Sequence, residues 1–260
     1  YKITDTKNNI AQIHILKDKN FFLFFDVGSV PKKDNSSNYQ SGPLSFEYSV
    51  NNLKIITNCG FGNKISKKAE LISRLTSAQS TLCLNDTSVA KFERNNLINS
   101  AFGASTMSSF KVFDFNSDED TNTISVSAKH DAYRNNFGYL HERKLKINKK
   151  TGDLSGEDVL IPINNNNESV INYSIRFHLY PGINAVRTIS KSSVLIQLEK
   201  SKSLVFTAVG EAIKLEKSIF LGRNRIINNS CIAVSGKLKN NERRNIHWAF
   251  KKATKYATKN

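Results

Sequence analysis

Residues 44–59 read LSFEYSVNNLKIITNC, and this stretch decides the fold. Each half is a strand-length run of β-branched, aromatic and apolar residues, and Asn51 and Asn52 lie between the two halves. Asparagine tolerates the positive φ angles that a tight two-residue hairpin turn requires. The stretch therefore predicts two antiparallel strands, at 44–50 and 53–59, joined by a short turn.

The same pattern recurs along the chain at intervals of about 8–12 residues, a spacing typical of a β-sandwich. Further strands are predicted at 10–16, 21–27, 81–84, 110–115, 123–130, 139–147, 174–179, 194–198, 204–208, 212–215, 225–236 and 245–250. Only residues 67–77 show helical spacing, through Leu71, Ile72 and Leu75. The sequence predicts an all-β fold, a large antiparallel β-sandwich with at most one or two short helices.

Three segments are predicted to be loops because of their length or polar composition: 29–43, 116–122 and 163–172. No internal repeat or shift in composition marks a boundary, so residues 1–250 are expected to form one domain and residues 251–260 a short basic tail. The chain begins at Tyr1, and no basic segment leads into an apolar stretch as in a signal peptide. We therefore expect a piece of a longer protein.

The chain is strongly basic, with 38 Lys and Arg against 22 Asp and Glu and a formal net charge of +16. The basic residues are scattered, with local clusters at 64–68, 144–150 and 243–259. Scattered lysines are typical of a solvated surface, but they also suit a nucleic acid or an acidic polysaccharide. Charge alone does not decide among these partners, and no aromatic and basic motif on a recognisable platform supports nucleic acid.

Two further classes of protein are disfavoured by the sequence. The longest apolar run lies within residues 20–26, which is strand length and far short of the roughly 18 residues that a membrane-spanning helix requires. The three cysteines, Cys59, Cys83 and Cys231, are widely spaced and odd in number. They predict neither a disulfide framework nor a metal cluster.

An ordered series of segments resembles the C-terminal β-domain of the heparinase II/III-like polysaccharide lyases. The segments are GPLSFEYS (42–49), IITNCG (55–60), RLTSAQSTLCLNDTS (74–88), HDAY (130–133), FGYLHER (137–143), GDLSGED (152–158) and RFHLYP (176–181). The resemblance covers nearly the whole chain in consistent order.

The resemblance implies a β-sandwich that follows an α/α-toroid of the same chain, with an acidic polysaccharide such as a glycosaminoglycan held between them. Family members are carbon–oxygen lyases that cleave uronate-containing glycans by β-elimination, usually in the periplasm. That chemistry needs a proton acceptor, groups that neutralise the uronate, and an acid for the leaving oxygen. The alternative is a non-catalytic carbohydrate-binding or structural β-domain with a degenerate active site.

The resemblance also implies that the zinc site of some family members is lost. Where those members have imidazole or carboxylate groups, the matching positions here are Asn38, Gln40, Asn58 and Gln79. Carboxamides are poor zinc ligands, so we expect no cofactor. Amides still form hydrogen bonds with sugars or with one another, and we assign Asn38, Gln40 and Gln79 as candidate substrate-binding residues.

Strand alternation places Tyr139, His141 and Arg143 on one face. We assign His141, Tyr139 and His130 as candidate catalytic residues, and Arg143 and Arg74 as candidate substrate-binding residues. The alternative for Tyr139, His141 and Arg143 is a polar ladder that bonds neighbouring strands or packs against a missing domain, and the alternative for His130 is a turn-capping role. Arg74 could instead pair with a neighbouring acid.

Overall fold

The computed structural model describes residues 9–93, 104–163, 170–198, 202–239 and 241–253, and within them seventeen strands form two antiparallel sheets. The first sheet contains β1 (Asn9–Ile10), β2 (Ile13–Asp18), β3 (Phe21–Asp26), β4 (Phe46–Val50), β5 (Leu53–Thr57), β6 (Leu82–Leu84), β11 (Val170–Leu179), β15 (Ala212–Gly222) and β16 (Arg225–Lys239). The second contains β7 (Val112–Glu119), β8 (Thr123–His130), β9 (Tyr139–Asn148), β10 (Leu154–Pro162), β12 (Asn184–Arg187), β13 (Ser193–Gln197), β14 (Ser203–Ala208) and β17 (Arg244–Lys252). The predicted all-β sandwich is confirmed.

The order of strands in the first sheet is β1-β2-β3-β4-β5-β11-β16-β15, with β6 also paired to β11. The order in the second is β12-β13-β14-β17-β10-β9-β8-β7. Two short helices, α1 (Lys67–Ser73) and α2 (Arg134–Phe137), accompany the sheets in the described part of the chain. Ser66 caps α1 by accepting a hydrogen bond from the Ala69 N–H at 3.1 Å.

The hairpin predicted from residues 44–59 is present as β4 and β5. Asn51 and Asn52 have φ angles of 50° and 64°, the left-handed conformation that the turn requires. Alternate residues of β4 point into the core, so Phe46, Tyr48 and Val50 are buried.

Aromatic rings join the two sheets at the centre of the sandwich. The ring of Phe46 in β4 stacks on the indole of Trp248 in β17, with centroids 5.6 Å apart and planes 5° apart. Phe177 in β11 meets the same indole edge-on at 4.6 Å. Offset and edge-on aromatic pairs contribute about 0.5–1.5 kcal/mol each beyond the area that they bury. These contacts fix how the sheets lie against each other.

Some predicted boundaries are wrong. Strand β10 (Leu154–Pro162) was not predicted, because its Gly156, Glu157 and Asp158 are typical of turns. The predicted loop 116–122 is mostly strand, since β7 continues to Glu119 and pairs with β8. Its side chains after Phe113 are exposed, so no apolar alternation marked it.

The predicted C-terminal tail and the third predicted loop are described only in part. Strand β17 continues to Lys252, two residues beyond the boundary predicted at 250. Residues 254–260 of the predicted tail and residues 164–169 of the third predicted loop lie outside the described residues. In the part of the chain that the structure describes, no helix has the length and apolar character needed to cross a membrane.

Candidate functional site

A cavity of about 330 Å³ opens on the face of the first sheet that points away from the core. Strands β2, β3 and β4 form its floor, and the segments that follow β3, β5 and α1 close its sides. Its lining residues are Ile13, Phe24, Asp26, Gln40, Gly42, Ser45, Phe46, Glu47, Asn58 and Gln79.

Three of the four amide positions inferred from the resemblance meet in this cavity. Gln40, Asn58 and Gln79 come from segments far apart in sequence, yet all line the same space. Asn38 is exposed and does not line the cavity, so the structure gives no support for its assignment as substrate-binding.

The glutamine amides use their nitrogens to hold the backbone of the site. Gln40 Nε2 donates to the carbonyl oxygens of Gly60 at 2.7 Å and Ser73 at 3.1 Å. Gln79 Nε2 donates to the same Ser73 oxygen at 2.8 Å. Among the described residues, neither glutamine Oε1 accepts a hydrogen bond from the protein. Both oxygens can therefore accept a hydrogen bond from a donor such as a sugar hydroxyl.

Asn58 ties the cavity wall to the strand below it. Its Oδ1 accepts the Ser80 N–H at 2.8 Å, and its Nδ2 lies 3.4 Å from Ser45 Oγ. Gln40, Asn58 and Gln79 thus offer carboxamides that are already engaged with neutral partners. Within the described ranges, no group of three or more His, Cys, Asp or Glu residues is placed to hold a metal ion. The three carboxamides do not fit a zinc ion, which prefers imidazole, thiolate or carboxylate ligands.

Two carboxylates line the cavity in different surroundings. Glu47 is paired with Lys54 at 2.6 Å, accepts a hydrogen bond from Thr57 Oγ1 at 3.0 Å, and accepts the Asn58 N–H at 3.2 Å. These partners keep Glu47 in the network of the sheet.

Asp26 is the second carboxylate, and the sequence analysis did not single it out. Its Oδ1 accepts the Gly28 N–H at 2.8 Å. Burial raises the pKa of Asp26 to about 7, although the Gly28 hydrogen bond acts in the opposite direction. The sequence offered one indication of Asp26 as a site residue: it is an acid that ends the FFLFF run of β3, on the same strand face as Phe22 and Phe24.

Arg74 lies behind the cavity wall and does not reach into it. Its buried guanidinium donates from Nε to the Tyr39 carbonyl and from Nη2 to the Ser36 carbonyl, both at 2.8 Å. The guanidinium also lies over the Phe92 ring, 4.0 Å from its centroid. Within the described ranges, no acid forms an ion pair or a hydrogen bond with this guanidinium. We therefore correct its assignment as substrate-binding: Arg74 supports the segment 36–41 that carries Gln40.

The candidate catalytic histidines lie inside the sandwich. His141 Nδ1 is 3.0 Å from His130 Nε2, and His141 Nε2 is 2.6 Å from Asp158 Oδ1. His130 and His141 are fully buried, and burial lowers the pKa of each. Tyr139 is also buried, and its hydroxyl donates to the Lys239 carbonyl at 3.3 Å.

Arg143 completes this network from the next inward position of β9. Its guanidinium donates two hydrogen bonds to Asp158, from Nε to Oδ1 at 2.7 Å and from Nη2 to Oδ2 at 3.0 Å. Nη1 donates to the carbonyls of Leu44 and Ser80, both at 2.8 Å. Trp248 Nε1 donates to Asp158 Oδ2 at 2.7 Å. Burial favours a neutral acid, but Arg143 and His141 outweigh it and hold the pKa of Asp158 below its usual range.

The catalytic assignment of His141, Tyr139 and His130, and the substrate-binding assignment of Arg143, are therefore corrected. These side chains are enclosed between the sheets and bonded to protein partners, so they are not exposed at a surface where a polysaccharide could reach them. The contacts of Tyr139, His141 and Arg143 fit the alternative of a polar ladder between strands. His130 Nδ1 accepts the Ala132 N–H at 3.2 Å, which fits its turn-capping alternative. By bonding to Leu44 and Ser80, Arg143 also steadies the backbone beside the cavity.

Comparison with known proteins gives a consistent result for the fold. The family model described as heparinase II/III-like, C-terminal, matches residues 10–249. A heparan sulfate lyase from Pedobacter heparinus superposes with a TM-score of 0.73 at 15% identity, covering 94% of this chain and 35% of that one. A heparinase III superposes with a TM-score of 0.70 at 13% identity, covering 94% of this chain and 36% of that one.

A second heparinase III structure gives a TM-score of 0.73 at 12% identity, covering 98% of this chain and 36% of that one. The search of curated proteins finds no match. The chain thus spans about a third of the length of the solved structures that it resembles.

Proposed function

The chain belongs to the heparinase II/III-like family, through its C-terminal domain, and from this premise we propose that it is the β-sandwich part of a polysaccharide lyase. We propose that the whole protein cleaves an acidic, uronate-containing glycan by β-elimination. Residues 1–250 form one domain in this proposal, residues 251–260 a tail, and an α/α-toroid precedes them in a periplasmic protein. The greater length of the similar structures supports a preceding domain.

The observation that carries the proposal is the convergence of Gln40, Asn58 and Gln79 on one cavity. These residues were selected by resemblance to positions that reach substrate or metal, and the fold brings them together. In β-elimination the proton beside the uronate carboxyl group is removed, and the glycosidic oxygen leaves from the next carbon. The cavity would hold and orient the sugar, and the preceding domain would supply the remaining acid and base groups.

The rim of the cavity supports a contact with another surface. Ile13 and Phe24 are 40% and 38% exposed, and Phe24 lies edge-on to Phe22 with ring centroids 4.5 Å apart. An apolar rim beside polar groups is typical of ligand grooves and interaction surfaces. In the proposed enzyme, this rim closes one wall of the glycan cleft.

A non-catalytic carbohydrate-binding domain is the second candidate function. Two observations favour it. The three amides are neutral, and the Nε2 atoms of Gln40 and Gln79 donate to backbone carbonyl oxygens. Such a site retains hydrogen bonds for sugar hydroxyls but offers no imidazole for proton transfer.

A lyase assay on the full-length protein separates the two functions. We expect uronate polysaccharides to yield the ultraviolet absorbance of an unsaturated product, and Gln79→Ala to lower that rate by roughly tenfold, the effect of about 1.4 kcal/mol of lost binding. Asn38→Ala, at the exposed position outside the cavity, is the matched control. Retardation of acidic glycans in an affinity gel without product would favour the binding function, and salt-sensitive preference for DNA would contradict both.

We propose that the zinc site of some family members is lost in this chain, and this makes a separate prediction. Combining Gln40→His, Asn58→Asp and Gln79→His is expected to create Zn²⁺ affinity, because the three positions line one cavity and the new side chains are zinc ligands. Added zinc should raise the melting temperature of this variant and leave that of the wild type unchanged. Asn38→His is the control. A chelator-sensitive melting temperature in the wild type would contradict the proposal.

A further inference from the structure

We propose that Asp26 recognises the carboxylate of a uronate residue by donating a hydrogen bond from its own protonated carboxyl group. The inference rests on the proposed function and assigns the acid-sugar specificity of the cavity to one side chain. It concerns binding, and it does not require that the chain complete a catalytic cycle.

The position of Asp26 suits this task. It is the last residue of β3, and it shares the outward face of that strand with the rim residue Phe24. Its Oδ1 is fixed by the Gly28 N–H, and among the described residues no group forms a hydrogen bond with Oδ2. Oδ1 is therefore held in place by the backbone, whereas Oδ2, on the same cavity-lining side chain, has no hydrogen bond within the described part of the chain.

Among the described residues, none places a positive charge beside Asp26. Ile13 of β2 and the adjacent Gln12 lie on one side. Ser45 lies just before β4, and Glu47 of β4 is already paired with Lys54. The remaining sides carry Gln40 and Gln79. Tyr39 is also near, and its buried hydroxyl has no hydrogen-bond partner among the described residues.

Tyr39 lies close enough to Asp26 to be affected by its charge. Burial raises the pKa of Tyr39 well above its usual value, and the charge of Asp26 raises it further. An enclosed carboxylate without a cation favours its neutral form, in agreement with the pKa of about 7 for Asp26. A proton is thus present on Asp26 in a large fraction of molecules near neutral pH.

A neutral carboxyl group and a sugar carboxylate are complementary. An O–H donor to a carboxylate forms a short, charge-assisted hydrogen bond. Ionised Asp26 would instead place two like charges together in an enclosed space, which is strongly unfavourable. Asn58 Nδ2 and Ser45 Oγ lie in the same cavity as further donors. The site should therefore accept uronates when Asp26 carries its proton and reject them when it does not.

The test measures equilibrium binding of the full chain to two probes between about pH 5 and pH 9. One probe is a uronate oligosaccharide, and the other is the same oligosaccharide with its carboxyl groups reduced to alcohols. The affinity for the acidic probe should fall by up to tenfold per pH unit above about pH 7, since binding then requires uptake of one proton. The affinity for the reduced probe should not show this fall.

Two variants assign the effect to Asp26. Asp26→Asn keeps an oxygen for the Gly28 N–H and a donor for the uronate, so its affinity for the acidic probe should stay nearly constant through pH 7–9. Asp114→Asn, which removes an exposed carboxylate from β7, should keep the wild-type profile. A pH-independent wild-type affinity, or the same fall in Asp26→Asn, would overturn the proposal while leaving glycan binding intact. Absence of glycan binding at every pH would overturn the proposed function as well.

Thermal unfolding gives a readout that needs no glycan. The pKa of Asp26 is raised in the folded state, so the folded protein binds more protons than the unfolded chain between about pH 4 and pH 7. Wild-type stability should therefore fall relative to Asp26→Asn as the pH rises through that window, and the gap should stay constant above it. A gap that does not change with pH would contradict the assignment.

Discussion

Asp158→Ala is expected to lower the free energy of unfolding by about 3–5 kcal/mol, because it leaves a buried guanidinium without its counter-charge. Arg143 and Asp158 are both fully buried and joined by two hydrogen bonds. The same substitution removes the acceptor for His141 and for the indole of Trp248. Chemical denaturation of the chain, followed by circular dichroism, measures the loss.

Glu157→Ala, one residue earlier in β10, is the matched control. Glu157 is paired with Lys144 at 3.1 Å on the outer face of the sheet, where an ion pair contributes about 0–1 kcal/mol. If Asp158→Ala costs no more than Glu157→Ala, the buried network does not hold the sheets in the way that we infer. Asp158→Asn separates loss of charge from loss of shape, since it keeps one oxygen as an acceptor.

The sequence predicted which residues share a face more reliably than it predicted where that face points. Alternation placed Tyr139, His141 and Arg143 together, and the burial pattern of β9 confirms this. The inward direction depends on β10, whose Asp158 supplies the counter-charge. That strand was not predicted, because its residues 156–158 are typical of turns. Charged residues on one strand therefore suggested a surface site, whereas their partner lay on an unrecognised strand.

In the candidate site, the sequence revealed the amide residues but not Asp26. Gln40, Asn58 and Gln79 were found by resemblance, and their convergence required only that the fold be correct. Asp26 was missed because its property comes from enclosure by segments distant in sequence. Its neighbours Gln40 and Gln79 lie 14 and 53 positions away along the chain. Short-range sequence patterns do not record that enclosure.

Gly156→Ala is expected to destabilise the sandwich by about 3 kcal/mol through overpacking of the core and loss of a hydrogen bond. A Cβ atom at this position would lie 2.1 Å from Cζ2 and 2.4 Å from Cη2 of Trp248. The indole lies across β10 at this glycine, and its Nε1 reaches Asp158. The ring must move, and a shifted ring loses both that bond and its stacking on Phe46.

Tryptophan fluorescence reports on this change directly, because Trp248 is the only tryptophan of the chain. We expect Gly156→Ala to change the emission maximum of the native state and to lower the denaturation midpoint. Ser155→Ala, at the preceding exposed position of β10, should change neither. A native emission spectrum identical to that of the wild type would show that the indole tolerates the added methyl group. In that case Asp158 would keep its Trp248 bond, and the role of Gly156 in seating the ring would be refuted.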